Sequence, residues 1–80
     1  MNIRQIFQPM AIMRFGVIEG YQKFDEFVRI LEGTQPDFDE ETECSKLNNE
    51  EFASVIISFS MLTGITVNEI SKECIEFKNR

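Results

Sequence analysis

Apolar residues recur along the first third of the chain at Ile3, Ile6, Phe7, Met10, Met13, Val17, Tyr21, Phe24, Val28 and Leu31. Steps of three and four dominate, the period of a helix with one face turned inward. Pro9 interrupts the run. Proline is accommodated at the first position of a helix, where a missing N–H costs nothing. The pattern therefore predicts a helix over residues 9–32, with the preceding residues as a separate short piece. Gly33 stands where a C-terminal stop is expected. Within "MAIMRFGVIEG" the apolar residues point in every direction, and Gly16 and Gly20 each weaken a helix by about 1 kcal/mol relative to alanine. A short strand or hairpin over residues 10–18 is the alternative. The helical phase resumes at Tyr21 and Phe24, which favours helix.

The last third is cleaner. Asn48 followed by Glu51 has the form of a capping box, with Asn in place of Ser or Thr. Phe52, Val55, Ile56, Phe59 and Leu62 form an apolar stripe at helical spacing. Gly64 ends that helix, and Ile65 is placed for the hydrophobic contact that accompanies such caps. Thr66 and Glu69 repeat the capping signature, and Val67, Ile70, Cys74 and Phe77 mark a second helix ending in Lys78 and Arg80, favourable at a C-terminus. The fold class expected is mainly α: one domain over residues 1–80, a bundle of three to four helices. Helical segments 9–32 and 48–79 flank a connector at 33–47.

Charge changes the picture of that connector. The net charge is −6. Glu32 to Glu51 holds eight acids and one base, a local −7, and the rest of the chain sums to +1. The densest stretch is "PDFDEETEC", with Asp37, Asp39, Glu40, Glu41 and Glu43 around Phe38. Calcium is excluded by spacing. An EF-hand counted from Asp37 needs Gly at position six and Glu at twelve, where Thr42 and Asn48 stand. Two readings of the run remain: a solvated connector held extended by its own repulsion, or a docking loop for a basic partner with Phe38 as its anchor, although folding back onto the core is the commoner course for such a residue. A nucleic-acid mimic fits less well, because the carboxylates are bunched rather than spread at phosphate intervals.

Other chemistry is sparse. The chain has no histidine, so the commonest general base is missing and neither Cys44 nor Cys74 has an imidazole to activate it. The four glycines form no phosphate loop. No enzyme, metal or cofactor is expected. Direct nucleic-acid binding is disfavoured by the charge. "FSMLTGITVNEISKECIEF" resembles a helix-turn-helix motif, with Gly64 at the turn and Ile70 in the core. Glu73 stands where that motif has an apolar residue, and a groove-reading helix is basic where this one is neutral. The resemblance implies, as an alternative, a transcriptional regulator using residues 52–77.

No run approaches the roughly 20 apolar residues that span a bilayer, and no signal peptide is read at the start. A cytoplasmic protein with reduced thiols is expected, the cysteines acting as small hydrophobes. Met10, Met13, Met61, Phe15, Phe24, Phe27 and Phe59 are expected to fill the core. A chain this short has little core to spare, so an exposed apolar patch is expected around Met10 to Ile18, and a homodimer or bound partner would relieve the margin. By composition the chain is analogous to the small acidic cytoplasmic proteins of bacteria and phages: immunity proteins, antitoxins, secretion chaperones and inhibitors. The expectation is a non-enzymatic regulator that binds another protein. Met10, Met13 and Phe15 would supply the apolar contact, and Asp37, Phe38, Asp39, Glu40, Glu41 and Glu43 the side that meets a basic partner.

Overall fold

A computed structural model describes the backbone of residues 1–78 and the side chains of residues 1–74, and the described residues form four α-helices. They are α1 (Ile3–Phe15), α2 (Val17–Thr34), α3 (Asn49–Thr63) and α4 (Val67–Lys78), with a single 3₁₀ turn at Cys44–Lys46 before α3. No strand occurs among the described residues; one isolated antiparallel bridge joins Asn2 to Glu43. Mainly α is thus the fold class, and residues 10–18 hold the end of α1 and the start of α2 in place of a strand or β-hairpin. The expected core position Phe77 and the basic end at Lys78 and Arg80 lie outside the described side chains.

The first helical segment is two helices, not one over 9–32. Gly16 breaks it with φ 85° and ψ 173°, a conformation essentially restricted to glycine. The turn lets α2 double back along α1. Gly20 makes the approach close: a Cβ there would lie 2.5 Å from the Ile12 Cα and 2.8 Å from its amide nitrogen. Sequence propensity counts both glycines as costs, whereas here one makes the corner and the other the contact.

Pro9 is not at a helix start. It lies inside α1, where proline removes one helical hydrogen bond and crowds the carbonyl four residues back. That carbonyl belongs to Gln5, and Gln5 and Pro9 are both exposed, so water can satisfy it. The true start is at Asn2. Its side chain accepts from the Gln5 amide at 2.8 Å while the Gln5 side chain accepts from the Asn2 amide at 2.9 Å, a complete capping box. Gly33 likewise lies within α2, which runs one residue further to Thr34.

The second half follows its local signals. Asn48 and Glu51 form the expected reciprocal box at 2.8 and 2.9 Å. Gly64 takes the left-handed conformation at φ 75° and its amide donates to the Ser60 carbonyl at 2.9 Å. The Ser60 hydroxyl donates to the Ile65 carbonyl at 2.6 Å, which ties the turn down. Thr66 accepts from the Glu69 amide at 3.2 Å and starts α4.

The core is built on an aromatic cluster. Phe7 of α1, Phe27 of α2 and Phe59 of α3 are mutually in contact, with ring centroids 4.9–5.3 Å apart, and Phe24 joins Phe27 at 6.1 Å. The tilted and edge-on arrangements are those aromatic quadrupoles prefer, each adding roughly 0.5–1.5 kcal/mol beyond burial. Ile3, Leu31, Val55 and Ile70 are the other large side chains that are fully buried, and Cys44 and Cys74 are buried among them as small apolar groups. Met13 and Met61, expected inside, are instead 87% and 82% exposed. The steps Met13–Val17–Tyr21 keep helical spacing in the sequence, but the Gly16 break turns all three out to solvent.

Candidate protein-binding surface

The acidic connector is folded rather than extended. Its backbone wraps over the start of α1. Ile3 donates to the Thr42 carbonyl and Arg4 to the Glu40 carbonyl, each at 3.0 Å, and Cys44 donates to the Met1 carbonyl at 3.0 Å. Inside the loop, Asp39 Oδ1 accepts from the Glu41 amide at 2.8 Å, an Asx-turn, and the Thr42 hydroxyl accepts from the Asp39 amide at 2.9 Å. Repulsion among five carboxylates does not keep the segment open, because the helix it covers needs what the loop supplies. The positive end of the α1 dipole faces it, the guanidinium of Arg4 pairs with Glu41, Asn2 Nδ2 donates to Glu41 at 3.3 Å, and Glu43 lies 3.1 Å from the α-amino group.

The candidate contact residues separate accordingly. Phe38 is 8% exposed and belongs to the core cluster; it anchors the loop to its own protein and does not stand out as a hook for another. Asp37, Asp39 and Glu41 are exposed, and Glu40 and Glu43 are half-buried. Met10 is buried, Met13 projects into solvent, and Phe15 is half-buried with the Lys23 ammonium 5.7 Å from its ring centre.

The two halves of the expected surface do not adjoin. The acidic loop sits over the first turn of α1 and Met13 near its last turn. Nine residues separate Arg4 from Met13, roughly 13 Å of helix.

The α1–α2 corner holds the apolar half. Met13, Val17, Ile18 and Tyr21 are 87, 62, 76 and 48% exposed over nine consecutive positions. Beside them runs an open groove of about 420 Å³ between α1 and α4, lined by Met10, Met13, Arg14, Ile65, Glu69, Lys72 and Glu73. Its floor is methionine and isoleucine, and its rim carries two positive and two negative charges, none in an ion pair with another described residue. Of the stretch from Met10 to Ile18, expected to be exposed, Met10 and Ala11 are buried and Met13, Val17 and Ile18 face solvent; the α4 wall has no local signal, since Glu69, Lys72 and Glu73 look like an ordinary solvated face until α4 is laid beside α1.

Among the described residues no three His, Cys, Asp or Glu side chains gather as a metal-binding group, and no helix is long and apolar enough to cross a membrane. No protein family, curated protein or solved structure matches the chain.

Proposed function

We propose that this protein is a non-enzymatic regulator that works by binding another protein through the α1–α2 corner. The observation that carries the reading is the run of exposed large apolar side chains, Met13, Val17, Ile18 and Tyr21, beside a methionine-floored groove. Contiguous apolar surface of this kind marks interaction sites, and methionine adapts to the partner it meets. The partner has a basic surface. The exposed carboxylates at Asp37, Asp39 and Glu41, on a connector that holds five of the chain's fourteen acids, raise the rate of encounter with it and discriminate against acidic competitors. Lying a helix length from the corner, they steer rather than anchor. A rigid loop suits that role, because its charges are fixed before the partner arrives.

The test is capture from the cell that encodes the chain, using the wild type and Ile18→Glu side by side. A protein retained by the first and lost with the second is the expected result. An identical set on both would contradict the proposal.

A further inference from the structure

The outer face of α3 is apolar as well. No charged residue occurs from Phe52 to Asn68. The inner face of α3 buries Val55, Ile56 and Phe59, while Ala53, Ile57 and Met61 form an exposed ridge at steps of four, with Ile57 50% and Met61 82% exposed. A helix apolar on two sides is ordinarily covered on both. We infer that the second side is covered by another copy of this chain, with α3 packed antiparallel on α3 about a two-fold axis at Ile57.

The ridge is self-complementary under that operation. Residues 53 and 61 are equidistant from 57, so Ile57 meets Ile57 and the small Ala53 of each copy receives the long Met61 of the other. Seven positions out, Glu50 falls opposite Gly64, around which the space is open. An isologous interface demands this pairing of a patch with its own reverse. Charge points the same way. A chain of net −6 repels itself except where it is neutral, and this ridge lies within its longest uncharged stretch. The contact is small beside the roughly 800 Å² per partner of a standard interface, so the dimer is weak and concentration-dependent. The inference is independent of the corner proposed above to bind a different protein.

Sedimentation velocity on the full chain, from about 5 to about 500 µM, tests it. The expected result is a shift from monomer to dimer within that range. Ala53→Met and Met61→Ala each weaken the dimer about tenfold, and the double variant A53M/M61A restores it, because the small and large members have exchanged places. Both positions are exposed, and helical circular dichroism confirms the fold in each variant. A monomer at every concentration overturns the inference, as does a dimer indifferent to both single changes or a double variant no tighter than the weaker single one.

Discussion

The amide of Ile3 donates to the carbonyl of Thr42 at 3.0 Å, and that bond fixes the acidic loop on the first turn of α1. With the Arg4 amide on the Glu40 carbonyl and the reciprocal box between Asn2 and Gln5, every amide from Asn2 to Gln5 has a partner. These are the groups a helix leaves unsatisfied at its start. The loop is therefore a lid on a helix end first and a charged surface second.

Asn2 is the residue on which that junction depends, since it closes the capping box and also reaches Glu41. Asn2→Ala is expected to cost about 2 kcal/mol, the upper end for a lost cap, because the site is buried. Asn48→Ala, in an exposed box of the same form, is expected to cost about 1 kcal/mol. Urea unfolding midpoints of the two variants measure the difference.

Phe38 and Glu41 divide the loop into packing and charge. Phe38→Ala opens a cavity in the core and is expected to destabilise by about 3 kcal/mol or more. Glu41→Gln removes a half-exposed ion pair with Arg4 and is expected to cost under about 1 kcal/mol. Unfolding at low and high salt checks both: the cost of Glu41→Gln is expected to shrink at high salt, where the pair with Arg4 is screened, and that of Phe38→Ala to stay the same.

Two glycines in α2 respond in opposite directions. Gly20→Ala drives a Cβ into the Ile12 backbone and is expected to cost about 1–3 kcal/mol despite the better helix former. Gly33→Ala meets open space and is expected to stabilise by up to about 1 kcal/mol. Thermal unfolding separates them by sign alone.

These contrasts show what was legible in the sequence. Asn48, Gly64 and Thr66 act through bonds spanning three to four residues, and the α3–turn–α4 unit could be read from them directly. Asn2 and Gln5 carry the same kind of signal, but Pro9 drew the helix start away from it. The α1–α2 corner was hidden because Met13, Val17 and Tyr21 keep helical phase across Gly16, and periodicity cannot report a break that preserves it. The loop was opaque for another reason. Its fold rests on Ile3, Arg4 and Asn2, more than thirty residues away, and no local pattern encodes a pairing at that distance. Met13 stands out on the surface, whereas Phe38 takes the commoner of its two expected courses and folds back onto the core.

Substitutions at the corner are expected to separate binding from folding. Met13→Glu and Ile18→Glu replace side chains already in water, so stability changes are expected to stay within about 0.5 kcal/mol. Partner retention is expected to fall at least tenfold, the loss of about 1.4 kcal/mol or more. Paired urea titrations and binding assays on the same preparations read both quantities.

The most direct measurement places a photo-crosslinking amino acid at position 18, and in a separate protein at the exposed position 34 at the other end of α2, roughly 24 Å away, inside the cell that encodes the chain. Binding through the α1–α2 corner predicts a discrete adduct with one other protein from position 18 and none from position 34. Equal adducts from the two positions, or none from position 18, would contradict it.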